Sequence, residues 1–411
     1  MKVLLFGVGA NTKKVISCLK EETEILGFLD NDAQKWGNTY EQKNILSPQE
    51  GIKQPFDYLI LSVAKGYDRI LEQMKNYGVE EDKIIWPFSF PHEKYKEWRK
   101  VFYIEELIYW EMNQRIEEMS FYLKNLKYET AAKLEKGEIA FPKILSAEKA
   151  IHEIVKNRKS MSRYGDGEWD LALGYDNSFQ KSDKRLQERL KEILVSNLDN
   201  HIVAIPDIYG DFPNRTEEFK ACFRRHLGSG RREQEYAILD MEKEYYDSFI
   251  TRPYKDFVDR SNAGRKFEQI KTIWEGRNLT IVEGEKSRLG MGNDLFSNAA
   301  SCIRILCPPI NAFDQYHAIF NAVKETDKEN LILIALGATA TVLAYDLARE
   351  GYQAVDIGHI DIEYEWYLCH AENSIPIQGK YVNEASGGRI VSDEKVDNKY
   401  RKEVWKIIRE R

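Results

Sequence analysis

Short, almost uninterrupted apolar runs, each closed by a glycine or a polar turn and then followed by helical spacing, recur along this chain. The clearest is Leu331-Ile332-Leu333-Ile334-Ala335-Leu336, which meets Gly337-Ala338-Thr339-Ala340-Thr341 and continues as a helical pattern to Arg349. A run that is apolar at both alternating positions leaves no face for water, so it predicts a strand buried inside a parallel sheet. Further runs cover Ile202–Pro206, Asn278–Glu283, Arg304–Cys307 and Ala354–Gly358, with Lys2–Phe6, Ile25–Leu29, Tyr58–Val63 and Lys83–Trp86 nearer the start. Strands alternating with helices in this way predict the α/β class with largely parallel sheets.

A chain of 411 residues exceeds one ordinary core. The reading divides it into a small Rossmann-like βαβ module over 1–90, a helical segment over 91–136 and a larger α/β domain over 137–411. The helical segment places Ile104, Leu107, Ile108, Met112, Ile116, Met119 and Leu123 at spacings of three and four. That stripe can dock on a neighbouring domain or pair with a second copy, giving a homo-oligomer through the 96–126 helix. The stretch Gly210 to Arg277, charged and aromatic, reads as a helical insertion or lid.

A net charge of −7 and the lack of a long basic block argue against nucleic acid as a partner. Five scattered cysteines without C-x-x-C spacing fit reduced thiols and exclude the usual zinc frameworks. No window reaches the run of about 20 apolar residues that spans a bilayer. Because Met1–Phe6 reads as a strand and not as a leader, the expected location is the cytoplasm.

In open α/β sheets, ligands bind beyond the carboxyl ends of the strands, so residues directly after each apolar run are the candidate functional ones. Arg163-Tyr164-Gly165-Asp166-Gly167-Glu168 sets two carboxylates one residue apart among glycines, and hard divalent cations favour such oxygen ligands. After Leu279–Val282 comes Glu283-Gly284-Glu285-Lys286-Ser287-Arg288-Leu289-Gly290-Met291-Gly292-Asn293-Asp294. Glycine-freed amides with Lys286, Ser287 and Arg288 suit a pyrophosphate, although the order is not that of a Walker loop. Thr339 and Thr341 either cap their helix or, with its first N–H groups, face a phosphate or ribose.

Gly358-His359-Ile360-Asp361-Ile362-Glu363-Tyr364-Glu365-Trp366 gathers a histidine and three acids that share one face if extended. In a helix they pair instead as His359 with Glu363 and Asp361 with Glu365. Near the start, Gly7 and Gly9 with Asp30 make a partial dinucleotide fingerprint, Thr12 standing where a third glycine belongs.

Taken together, the motifs beginning at Arg163, Glu283 and Gly358 resemble the GT-D-type glycosyltransferases over about Phe141 to Tyr367. The resemblance implies a Rossmann-like catalytic domain whose D-x-E motif, Asp166-Gly167-Glu168, holds Mn2+, or Mg2+, against the diphosphate of a UDP-sugar, with UDP-glucose expected. It further implies a glycan or glycoprotein acceptor in bacterial surface glycosylation. On this reading Asp166, Glu168 and His359 address the metal. Arg163, Gly165, Glu283, Lys286, Ser287, Arg288, Gly290, Asn293, Thr339 and Thr341 surround the donor. Asp294, Asp361 and Glu363 are the candidate bases. The same clamp would also serve a metal-dependent hydrolase of a nucleotide sugar or phosphate ester, and two α/β modules without catalysis would make a nucleotide-sugar-binding protein.

Overall fold

The computed structural model describes residues 1–63, 66–88, 98–134, 140–177, 179–391 and 396–409. It divides into two units, Met1–Ser120 and Phe121–Arg411. In the first, strands β1 (Lys2–Phe6), β2 (Glu24–Leu29), β3 (Thr39–Tyr40), β4 (Lys43–Leu46), β5 (Tyr58–Leu61) and β6 (Ile84–Ile85) form one sheet in the order β3-β4-β2-β1-β5-β6. All pairs are parallel except the β3–β4 hairpin. Successive side chains of a strand fall on opposite faces. Val3 and Leu5 therefore pack with Phe28, Ile60 and Phe102, while Leu4 and Phe6 pack with Leu29, Leu59 and Met74.

The expected helical segment is described as one helix over Ile104–Leu134, with 91–97 and 135–136 outside the described residues. Ile104 and Leu107 are seated in the core of the first unit. Met112, Ile116, Met119 and Leu123 are exposed, so only the first turns of the apolar stripe are covered.

The second unit is built on β7 (Lys143–Leu145), β8 (Ser160–Arg163), β9 (His201–Ile205), β10 (Glu244–Asp247), β11 (Asn278–Gly284), β12 (Ser301–Cys307), β13 (Leu331–Ala335), β14 (Gln353–Asp356) and β15 (Val404–Ile407). Their order is β15-β12-β11-β13-β14-β8-β9-β10-β7. Every pairing is parallel, so all carboxyl ends lie along one edge. From β11 the chain passes to β12 on one side and then returns to β13 on the other. That reversal opens a crevice between the loops that follow β11 and β13. One face packs Met161, Ala204, Ile281 and Leu333 against Ile154, Phe267 and Trp274. On the other, Val282, Ile305 and Ile332 meet Leu343 and Leu347.

Four of these strands, β7, β8, β10 and β15, were not expected from sequence, and two of them carry a reason. Gly210 to Arg277 is not purely helical, because it contributes β10 between β9 and β7. Strand β8, Ser160-Met161-Ser162-Arg163, was masked by its hydroxyls, which the fold satisfies internally. Ser160 Oγ donates to the Tyr352 carbonyl at 3.2 Å, and Ser162 Oγ donates to that of Thr341 at 2.6 Å.

With its hydroxyl proton committed to Thr341, Ser162 accepts from His201 Nε2, 2.8 Å away. Burial, reinforced by nearby Lys243, pushes the His201 imidazole down to about 3, so it is neutral in the folded chain. An unfolded imidazole titrates near 6.5, so below that pH the unfolded state takes up the proton and the folded state does not. Stability attributable to His201 is therefore lost as pH falls from about 6.5 towards 3. Urea unfolding of His201→Gln should show a smaller loss between pH 6.5 and 4.5 than the parent chain; an identical loss would show that His201 is already protonated.

Candidate active site

A cleft of about 220 Å³ opens at the carboxyl ends of β8, β11, β13 and β14, lined by Arg163, Lys286, Ser287, Gly337, His359 and Asp361, among others. The backbone folds back after β11, Ser287 N donating to the Gly284 carbonyl at 2.8 Å. This turn presents Lys286 and Ser287 to the cleft. Across from it, the helix Ala338–Arg349 starts at Gly337, where Ala340 N donates to the Gly337 carbonyl at 2.8 Å and the amides of Ala338 and Thr339 have no acceptor within the helix.

The remaining residues expected around the donor shape that loop from behind. Glu283 is fully buried and accepts from Arg304 at 2.7 Å, Tyr400 at 3.0 Å and Leu289 N at 2.7 Å. Arg288 is buried in a left-handed conformation and reaches the Gly379 carbonyl at 3.0 Å. Gly290, with φ +73, and Asn293 both donate to Asp361 Oδ1, at 2.9 and 2.8 Å. Thr341 Oγ1 donates to the Arg163 carbonyl at 2.9 Å and so ties the end of β8, whereas Thr339 is buried with its hydroxyl unpartnered.

At the end of β8, the helix Asp166–Ala172 begins on the acid pair. Glu168 turns back so that one carboxylate oxygen accepts from Gly165 N at 2.8 Å. Asp166 is exposed and has no hydrogen-bond partner among the described residues. Burial, then the neighbouring charge of Asp356, pushes Glu168 up to about 7 against the opposing pull of Gly165 N–H and Arg163. Carboxylates crowded in this way, one of them open to solvent, fit a divalent cation that completes its shell with phosphate and water oxygens. Among the described residues no three His, Cys, Asp or Glu side chains are grouped to hold a metal, so His359 is not gathered with Asp166 and Glu168.

The segment from Gly358 is a helix from Ile360 to Leu368, with His359 as its N-cap. Gly358 has φ +42, and any Cβ there would overlap the Arg163 guanidinium. Arg163 donates through Nε to the Asp356 carbonyl at 3.2 Å and through Nη1 to the Ser248 carbonyl at 3.0 Å. Burial lowers His359 to about 4 although Glu384, 3.8 Å away, pulls the other way. Its Nε2 lies in the cleft lining without a hydrogen bond. Burial alone would raise Glu384, but Arg252, His359 and Lys255 outweigh it and hold this carboxyl well below its usual range.

The candidate bases differ sharply. Asp361 faces the cleft, yet Lys380 spans both its oxygens at 2.9 and 2.7 Å and also reaches Glu365 at 2.7 Å. Asp294 is largely exposed, bound to Tyr364 OH at 2.7 Å and Lys271 at 3.3 Å, and it does not line the cleft. Glu363 is fully buried, accepts from Tyr254 N and Lys255 N at 3.1 and 3.0 Å, and burial pushes it up to about 7.

In the first unit, Gly7 (φ +94) is required because a Cβ would lie 2.6 Å from Val63. Asp30 does come to the β1 loop, but Val8 N and Lys35 Nζ occupy one oxygen at 2.9 and 2.8 Å and Asp32 N the other at 2.9 Å. Thr12 replaces the third glycine as a brace, bridging Gly9 N and the Gly7 carbonyl at 2.9 Å each. Gly9 has open space around it.

Several site residues escaped the sequence reading. Asp356 could have been found, since it ends an apolar run as the other candidates do. Lys380, Tyr381, Asn383 and Glu384 follow no strand and carry no periodicity, so only the fold brings Tyr381 and Asn383 to the cleft lining and sets Lys380 and Glu384 beside Asp361 and His359.

The family pattern described as "Glycosyltransferase GT-D fold" matches residues 161–385, the span that builds this cleft. The chain belongs to the GT-D-fold glycosyltransferases. A separate pattern, "C2185-like, N-terminal", matches residues 1–85. "Probable glycosyl transferase Gly" of Streptococcus gordonii is 37% identical over 246 residues, 59% of this chain and 35% of that protein. "Glycosyltransferase GlyD" of Streptococcus pneumoniae is 37% identical over 232 residues, 56% and 28% respectively. The chain thus spans roughly a third of the length of the curated relatives it matches. Among solved structures, "The highly conserved domain of unknown function 1792 has a distinct glycosyltransferase fold" superposes with a TM-score of 0.62 at 33% identity, covering 71% of this chain and 99% of that one. "A New Glycosyltransferase (DUF1792) from Streptococcus sanguinis" gives 0.61 at 33% identity, covering 66% and 100%.

This GT-D member holds its cleft loop through Lys380. Lys380→Met leaves Asp361 buried without its counter-ion and should cost about 3–5 kcal/mol in urea unfolding. Adding Asp361→Asn should recover part of that loss, and no recovery would show that the pair is not what anchors the loop.

Proposed function

We propose that this chain transfers a hexose, glucose on the family resemblance, from a UDP-sugar to a glycan acceptor. The observation that carries the reading is the convergence on one crevice of Lys286, Ser287, a helix start and Arg163, with the Asp166–Glu168 pair opening the helix that follows Arg163 in the chain. A nucleoside diphosphate leaving group gains negative charge as the anomeric bond breaks. Lys286 and Arg163 supply fixed positive charge to it, and the amides opening the helix at Ala338 supply donors that need not reorganise. Ser287 and the neutral His359 add hydrogen-bonding groups on the cleft wall.

Asp166 and Glu168 would hold the Mn2+ or Mg2+, which as a Lewis acid supplies charge to the departing diphosphate. Asp361, saturated by Lys380, acts as a positioning residue for the loop. In this reading the first unit is a Rossmann-like module whose own side chains brace its glycine turn, the larger unit is the Rossmann-like catalytic domain, and the reaction takes place in the cytoplasm on a bacterial glycan or glycoprotein.

UDP release from UDP-glucose, measured with and without a glycan acceptor and with Mn2+ or chelator, tests the proposal. Release should depend on both acceptor and metal. In Asp166→Asn, Glu168→Gln and Lys286→Met it should fall by a factor of about 100 or more, as loss of about 3 kcal/mol of transition-state stabilisation implies. Equal release without acceptor would assign hydrolysis instead. Binding without turnover would leave a nucleotide-sugar-binding protein.

A further inference from the structure

We infer that the second unit holds a separate binding cavity for a neutral, hydroxyl-rich saccharide, and that this is where the acceptor sits. Its role as acceptor rests on the transfer reaction proposed above; its existence as a saccharide site does not. The cavity has a volume of about 320 Å³ and lies at the carboxyl ends of β7, β9 and β10, on the side of β8 away from the donor cleft. That volume falls within the range of small-molecule sites.

The deciding feature is Arg215. It lines this cavity and is only 7% exposed. Its guanidinium lies 4.6, 4.5 and 4.1 Å from the ring centres of Phe219, Phe249 and Phe257, and a backbone bridge between Arg215 and Phe257 fixes its place. Among the described residues its side chain makes no hydrogen bond and no ion pair, and Nη1 is buried without a partner. A guanidinium carries five N–H donors, and leaving them unmade in a buried site is costly. Rings on its faces leave the in-plane donors for something that enters the cavity.

The lining chooses the class of ligand. Asp207, Asp211, Asp247 and Glu148 stand against Arg215 and Lys266, so the formal charge is negative and a phosphate would be repelled. A cation would instead meet the unpaired guanidinium. Adjacent sugar hydroxyls satisfy both, accepting from Arg215 and donating to the carboxylates. Burial raises Asp247 to about 6 and Asp207 in the same direction, and Asp247 Oδ1 already accepts from Phe249 N at 2.9 Å.

Arg163 joins the two cavities. It lines the donor cleft, and its Nη1 holds the carbonyl of Ser248, which sits between Asp247 and Phe249 of the second cavity. A saccharide there would approach the cleft from the β9 side, past the end of β8.

Saturation-transfer NMR on the full chain decides the matter, using methyl glucosides, galactosides and N-acetylglucosaminides, with UDP-glucose and inorganic phosphate as separate probes. At least one methyl glycoside should give signals that UDP-glucose does not displace. Those signals should fall at least fivefold in Arg215→Met and in Gln269→Trp, which fills the cavity without removing a buried charge, while UDP-glucose signals stay unchanged. Lys286→Met should do the reverse. If Arg215→Met fails to fold, Gln269→Trp decides. Lack of any glycoside signal, signals indifferent to Gln269→Trp, or displacement by phosphate would overturn the inference. Glycoside binding without UDP-glucose binding would instead overturn the donor reading and leave the saccharide site standing.

Discussion

The buried Lys380 ammonium, held between Asp361 and Glu365, is the interaction on which the geometry of the donor cleft depends. Taking such charges out of water is expensive, and their mutual attraction offsets the cost only when every lone pair is used. Asp361 accepts four hydrogen bonds and Glu365 two, the latter both on one oxygen. Asp361 receives Lys380 on both oxygens, together with Gly290 N–H and the Asn293 amide, while Glu365 receives Lys380 and Asn293. One ammonium thereby fastens the loop after β11 to the helix after β14. The four residues Glu283, Arg288, Gly290 and Asn293 are committed to shape, which leaves Lys286 and Ser287 free to face a ligand.

This division of labour is also where sequence reading and structure part company. A loop rich in glycine, cations and acids looks uniformly functional when read as letters, yet burial splits it into a supporting set and a presenting set. The sign of that split is partly visible beforehand. Glu283 ends a buried strand, and a carboxylate at such a position needs an internal partner, which Arg304 on the neighbouring strand provides. Which cation answers it, however, depends on strand order, and strand order is not written in local spacing.

The same contrast runs through the fold. Runs such as Leu331–Leu336 and Asn278–Glu283 announced themselves because both faces of a central parallel strand are apolar. Strand β8 sits just as deep, but its serines are satisfied by carbonyls and an imidazole drawn from residues far along the chain. Strand β10 was hidden among tyrosines and acids, and its discovery matters because its end forms a wall of the second cavity. The acid pair at 166 and 168 was legible from chemistry alone, whereas Lys380 and Glu384 became site residues only through tertiary folding.

Gly358 shows how little it takes to aim a charge. It stands just past the end of β14, beside β8, and its missing methyl leaves the hollow into which the Arg163 side chain is laid. That arginine borders the donor cleft and braces the backbone after β10. The direction of the cation is therefore set by an atom that is not there, and even alanine at 358 would swing the guanidinium away from both places at once.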